Sequence, residues 1–186
     1  MVKQLHEKYN TNIMISVWPK FYEGIWHYEE FRKNGWLYMR NIEKRERDWI
    51  GEGYVSTFYD PYAKGARELF WDQINEKLFS KGIDAWWLDA TEPDIHSNLS
   101  LPEWHLRIGP TALGSAERYL NTYSLMNAKG IYNGQREVAP NKRVFILTRS
   151  GFAGQQRYAA VTWSGDVVSR WEDLKDQIPA GLNLCM

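Results

Sequence analysis

The chain has 186 residues, enough for one domain with a sizeable core. Its 23 basic and 23 acidic side chains cancel, which argues against a nucleic-acid face and against a charged tail or membrane-surface patch. No apolar run reaches the roughly 18 residues of a membrane span, the N-terminus MVKQLHEKYN lacks a signal-peptide apolar region, and the single cysteine, Cys185, rules out an intrachain disulfide framework.

The first predicted element is NIMISVW, residues 12–18, a short β-branched strand closed by Pro19. About forty residues without clear periodicity follow, at 19–59, rich in aromatics and carrying the charged knot EKRERD; an excursion of that length is expected to be functional or mobile. A helix is predicted over DPYAKGARELFWDQINEKLFSKG, with Asp60 as N-cap and Pro61 in the first turn. Ala66, Phe70, Ile74 and Leu78 recur at i+4 as its apolar stripe, and Gly82 suits its C-terminal left-handed position. IDAWWLD is the second strand, SAERYLNTYSLMNAKGIYN a second helix, RVFILTRS a third strand and RYAAVTWSGD a fourth. SRWEDLKDQIP opens a last helix, with Ser169 and Glu172 spaced as a capping box, and AGLNLCM reads as the run-up to a fifth strand. Strands separated by helices imply parallel βα units in an α/β fold. No internal repeat or linker divides the chain, so residues 1–186 are expected to form a single domain.

Ten tryptophans and eleven tyrosines call for a reason. A large aromatic core accounts for most of them. A carbohydrate site is the sharper reading, because sugar rings present flat C–H faces that suit indole and hydroxyls that need a few fixed polar partners. Alternate residues of a strand share a face. Trp87 and Asp89 therefore share one side of IDAWWLD, with Asp89 at the C-terminal end, where active sites of α/β folds form. The same position suits an acid that merely caps the following turn. RYAAVTWSGD repeats the pattern, with Trp163 on the face of Val161 and Asp166 presented after a Ser-Gly bend. VFILTRS ends in Arg149, which could bond sugar hydroxyls or form a structural ion pair. Two carboxylates and an arginine at one rim suit glycoside hydrolysis, which needs one nucleophile or base and one acid. Glu92 and Asp94, either side of Pro93, read as rim acids that bond substrate or backbone. His96 and His105 stand nine apart with no flanking ligands, so no metal signature is present. GFAGQQRY lacks the glycine spacing of a phosphate cradle.

WWLDATEPD, LTRSGFAGQQRYAAVTWSGD and GLNLCM resemble glycoside hydrolase family 31 from about Ile13 to the C-terminus. The wording around the acids, with two tryptophans before Asp89 and FAGQQRY later, is similar to the family's bacterial α-xylosidases that trim xyloglucan; its α-glucosidases more often read W-x-D-M-N-E there. The resemblance implies a retaining mechanism on a (β/α)8 TIM barrel, with Asp89 the nucleophile at the end of barrel strand four and Asp166 the acid/base at the end of strand six. It implies Trp87, Arg149 and Trp163 around the −1 sugar, an oligosaccharide substrate, and no cofactor; Glu92, the rim acid, is expected to bind substrate beside them. A whole barrel runs to about 250 residues. This chain would then be a partial barrel, strands three to six with the start of seven. The family's substrate-binding acid of strand one and histidine of strand seven have no counterpart in it. The segment by itself is expected to lack activity and to self-associate through its open strand edges.

Overall fold

The computed structural model describes residues 1–48, 53–93 and 99–184. In chain order these form α1 (Val2–Tyr9), β1 (Met14–Val17), β2 (Lys20–Tyr22), α2 (Trp26–Lys33), α3 (Arg40–Glu43), β3 (Ser56–Phe58), α4 (Lys64–Lys77), β4 (Ala85–Leu88), α5 (Leu101–Ile108), α6 (Ala116–Tyr119), α7 (Tyr123–Val138), β5 (Ile146–Thr148), β6 (Ala160–Thr162) and α8 (Trp171–Leu184). The four expected strands are β1, β4, β5 and β6. They make one parallel sheet in that order, so the chain winds in a single direction, as a barrel wall does.

The alternation within these strands decides what is buried. Trp86, Leu88, Ile146 and Thr148 are fully buried on one face, beneath α4 and α7. Trp86 anchors that layer. Its ring meets Trp71 of α4 edge-on at 6.0 Å, and its indole N–H donates to Gln135 of α7 at 2.8 Å. Gln135 in turn donates to the carbonyl of Arg143 just before β5, so one buried indole is satisfied and ties a helix to two strands. The stripe Ala66, Phe70 and Ile74 of α4 is buried as the periodicity requires, with Leu78 packed against the same core. α4 and α7 approach closely because α7 carries Gly134, where a Cβ would lie 2.2 Å from the Trp71 ring.

The excursion at 19–59 is built structure. β2 and β3 pair antiparallel, and Phe21, Phe31, Tyr59 and Phe70 form an aromatic cluster between them and the helices. The Lys20 ammonium is buried 3.5 Å from Asp48 and lies 4.8 Å from the ring centroid of Trp18. Three boundaries differ from expectation. α4 begins at Lys64: the Asp60 carboxylate accepts from the Tyr62 amide as a cap would, but the Tyr38 hydroxyl and the Ala112 amide also hold it, and residues 61–63 form a turn ahead of the helix. Burial pushes that carboxyl above its ordinary range. α6 is separated from α7 by a 3-10 turn, Leu120–Thr122. Gly181–Leu184, expected to lead into a further strand, are helical turns of α8, where Asn183 donates to the Pro179 carbonyl four residues back. Cys185 and Met186 lie outside the described residues.

At the N-terminal end of the sheet Asp84 joins three segments. It accepts from the Ile13 amide at 2.9 Å, His6 of α1 at 2.7 Å and Lys142 at 2.9 Å. Burial opposes its charge, but these donors outweigh burial and hold the carboxyl below its ordinary range. A lowered folded value stabilises the protein above the unfolded value of about 3.9 and is lost as pH falls through the folded one. Asp84→Asn is therefore expected to cost about 1–3 kcal/mol at neutral pH, with the urea-unfolding curves of variant and wild type converging as pH drops below about 3.9. Gly134→Ala is expected to lower the thermal midpoint, since overpacking of about 1–3 kcal/mol exceeds the gain in helix propensity. Gly181→Ala, whose added methyl meets nothing within 4 Å, is expected to leave the midpoint unchanged or raise it.

Candidate active site

The face of the sheet opposite the helices carries Ser16, Trp87, Leu147 and Val161 in one row, by the register of the three strand pairs. The next residue of that parity on each strand is Trp18, Asp89, Arg149 and Trp163. Four strands thus place two indoles, a carboxylate and a guanidinium side by side at their C-terminal ends. Trp87, 41% exposed, stands one layer below and meets the Trp163 ring edge-on at 5.8 Å.

Asp89 is held asymmetrically. Its Oδ1 accepts from the Ala90 amide at 2.8 Å and lies 3.4 Å from Arg149 Nη1. Among the described residues Oδ2 has no partner. The residue that supplies this amide, Ala90, adopts a left-handed φ of 52°, a conformation that disfavours residues with a Cβ. Two features hold the turn there. The Ala90 methyl is fully buried, in a core with Tyr38, Phe58 and Tyr123. The Thr91 hydroxyl bonds those of Thr148 and Ser150, at 2.8 and 3.0 Å. Gln155 extends the same anchorage. It donates to the Ser150 carbonyl and accepts from the Ser124 hydroxyl of α7 and the Phe152 amide.

Arg149 donates through Nε and Nη2 to the two oxygens of Glu92, at 2.9 and 3.0 Å, a bidentate charge-assisted pair. Its stem runs beneath Gly165, where a Cβ would lie 3.8 Å from Arg149 Cδ. Gly165 has φ of 87°, the bend that presents the next residue, Asp166. Asp166 is exposed and has no hydrogen-bond or ion-pair partner among the described residues. Asp89, Glu92 and Arg149 are therefore brought together directly and Trp87 and Trp163 by ring contact, whereas no contact joins Asp166 to them among the described residues; it follows Gly165, which lies over the Arg149 stem.

Trp18 is not among the expected site residues, although it ends its strand, just before Pro19, with the parity of Ser16. Nor are Ala90 and Thr91, whose roles rest on backbone conformation and on hydroxyl partners far along the chain. Asp94 and His96 lie outside the described residues, and His105 of α5 stacks on Trp104. Among the described residues no group of three or more His, Cys, Asp or Glu side chains could hold a metal ion, and no helix is long and apolar enough to cross a membrane.

The model of the glycosyl hydrolases family 31 TIM-barrel domain matches residues 1–186. An α-xylosidase of Saccharolobus solfataricus is 39% identical over 183 residues, which cover 98% of this chain and 22% of that protein. An uncharacterised family 31 glucosidase of Pseudescherichia vulneris is 32% identical and is matched over 99% of this chain and 33% of its own. The crystal structure of a family 31 α-xylosidase from Xanthomonas citri superposes with a TM-score of 0.94 at 52% identity, over 99% of this chain and 20% of that one. The chain thus spans about a fifth to a third of the length of the proteins it matches.

The turn that aims Ala90 at Asp89 depends on the Thr91 and Thr148 hydroxyls, both buried. Thr148→Val is expected to cost about 1–3 kcal/mol, because it leaves a buried hydroxyl without one of its partners. Amide exchange should localise the loosening to residues 89–92, and protection there equal to wild type would contradict the assigned role.

Proposed function

The chain belongs to glycoside hydrolase family 31, and on that premise we propose that it forms the central part of the catalytic barrel of a retaining α-glycoside hydrolase. Residues 1–186 make one partial barrel domain without internal boundary, carrying four consecutive barrel strands. The reaction is the hydrolysis of an α-xylosidic bond, with release of xylose from xyloglucan-type oligosaccharides. Two of the similar proteins are α-xylosidases, and the paired tryptophans Trp86 and Trp87 before Asp89 favour the same sugar. An α-glucosidase is the alternative within the family, favoured by the similar family 31 glucosidase.

One observation carries the reading: among the described residues the Asp89 carboxylate is hydrogen-bonded through Oδ1 and not through Oδ2, at the end of the strand whose open face bears Trp87 beside Trp163. A nucleophile requires that asymmetry. One oxygen is fixed by donors, and the other is free to reach the anomeric carbon from the side opposite the leaving group. A merely sugar-binding surface has no need of it. In the first step Oδ2 of Asp89 forms the bond to the anomeric carbon as the glycosidic bond breaks, and Asp166 gives its proton to the departing oxygen. In the second, Asp166 takes a proton from water, which displaces Asp89 and restores the original configuration. Retaining pairs work with carboxyl groups about 5–5.5 Å apart. Trp18, Trp87 and Trp163 wall the sugar, and Arg149 with Glu92 borders it. The chemistry proceeds without a cofactor.

The same face leaves Met14, Trp87, Phe145 and Val161 exposed. An apolar area of that kind usually marks a contact surface. In a closed barrel the remaining strands would cover it. The 186-residue chain alone is expected to be inactive and to associate with itself, visible as dimers or larger species by light scattering; a monomeric chain that hydrolyses aryl α-xyloside would contradict this.

The test of function is turnover by the full-length protein. Release of p-nitrophenol from the α-xyloside faster than from the α-glucoside is expected, and release from neither would sink the enzyme reading. Asp89→Ala should abolish turnover. Asp166→Ala should lower it by about 10²–10⁴-fold, and less for substrates with good leaving groups, which need no proton. Azide should rescue Asp166→Ala and give the α-glycosyl azide, since it attacks the Asp89 ester from the face the aglycone left.

A further inference from the structure

Glu92 stands at the rim with both carboxylate oxygens already committed to Arg149, an arrangement poorly suited to holding sugar hydroxyls. We propose that Glu92 is a positioning residue that acts through Arg149: it clamps the Nε–Nη2 edge of the guanidinium, restricts its approach to Asp89 to Nη1, and so keeps Asp89 Oδ2 clear for the anomeric carbon. The inference rests on the reading of Asp89 as nucleophile.

A guanidinium and a carboxylate left to themselves pair through two parallel hydrogen bonds of about 2.7–2.9 Å. Such a pair between Arg149 and Asp89 would occupy both Asp89 oxygens and bar attack. The nearest approach is 3.4 Å, longer than such a bond, and is made to the oxygen that the Ala90 amide already holds. The paired partner is instead Glu92, three residues further on. Its backbone stands on the turn that the Thr91 hydroxyl fixes to Thr148 and Ser150, so the clamp is set before substrate arrives. The charge is divided as well. Among the described residues the cation lies beside both Asp89 and Glu92, which weakens its hold on either; without Glu92 more of its attraction would fall on Asp89.

The stem of Arg149 adds a second consequence. Its Cγ and Cδ lie under Gly165, the bend that presents Asp166. A guanidinium that swung onto Asp89 would draw this stem with it and disturb the support of the proton donor. Loss of the clamp therefore impairs both steps of the reaction through one displaced side chain. Sugar binding, carried by the indoles, is largely spared.

A double-mutant cycle in the full-length protein tests this. Glu92→Gln is expected to lower kcat by roughly 10²-fold, the scale of a displacement of about 1 Å, with KM little changed and the thermal midpoint kept. In an Arg149→Met background the same substitution should change kcat by less than about twofold, because a residue that acts only through Arg149 has nothing left to act on. Glu92→Asp, which keeps the charge, should recover part of the loss. A second arm reads Arg149 without reference to turnover: its Nε–H resonance in a ¹⁵N-arginine-labelled sample should be protected from exchange in wild type and lose that protection in Glu92→Gln. An undiminished kcat effect in the Arg149→Met background would overturn the inference. So would a rise in KM at constant kcat, which would make Glu92 a direct sugar ligand, or an Arg149 resonance indifferent to Glu92→Gln. A wild-type protein that turned over neither aryl glycoside would sink the proposed function instead, and the resonance would still decide whether the clamp exists.

Discussion

The parallel register of β1, β4, β5 and β6 is the constraint on which the rest depends. Side chains alternate along a strand, so one register sorts every residue of the four strands into two sets. One set, with Trp86, Leu88, Ile146 and Thr148, is sealed under α4 and α7 and supplies much of the burial. The other supplies the site, because Trp18, Asp89, Arg149 and Trp163 follow the last paired residues of their strands in the same row. A slip of β4 by one residue would bury Asp89 and expose the Trp86 indole, and a slip of β5 would bury Arg149. The stability of the sheet and the alignment of the site are thus set by one pattern of backbone hydrogen bonds.

What the sheet aligns, the loops refine. The Ala90 amide donates to Asp89, and the left-handed turn at Ala90 is held by its buried methyl together with the hydroxyls of Thr91, Thr148 and Ser150. Arg149 and Glu92 then fix the charge around the carboxylate. Local strain at a strand end is retained because surrounding packing over-determines it, and here it falls beside the acid assigned to bond formation. The bend at Gly165 performs the corresponding service for Asp166 with a residue that tolerates positive φ without cost from a Cβ.

The strands of the sheet were legible because their apolar alternation is local, and so were the faces of Trp87 and Asp89. What depended on distant partners was not. α4 starts at Lys64 and not at Pro61, since contacts from Tyr38 and Ala112 capture the Asp60 carboxylate that local rules assign to a cap. The excursion at 19–59 has no period because it is made of short elements that bury aromatics from all sides. α1 and α5 went unrecognised, although Glu103 accepts from the Ser100 amide and hydroxyl in the capping-box spacing, with Pro102 in the first turn. Gly181, two residues after Pro179, reads locally as a helix stop, yet residues 181–184 continue α8. Asp84 is the clearest case of information absent from local sequence. Its three donors come from α1, from Ile13 and from Lys142, segments that only the fold unites.

The central claim is that Asp89 Oδ2 is the atom that bonds the sugar. A 5-fluoro-α-xylosyl fluoride tests it directly in the full-length protein, because its fluorine slows breakdown of the covalent ester while its fluoride leaves readily. Proteolysis and tandem mass spectrometry should find one fluoroxylosyl group per chain, on Asp89 within the peptide GIDAWWLDATEPD. The label on Glu92 or Asp166, or continued turnover with no label on any carboxylate, would contradict the assignment.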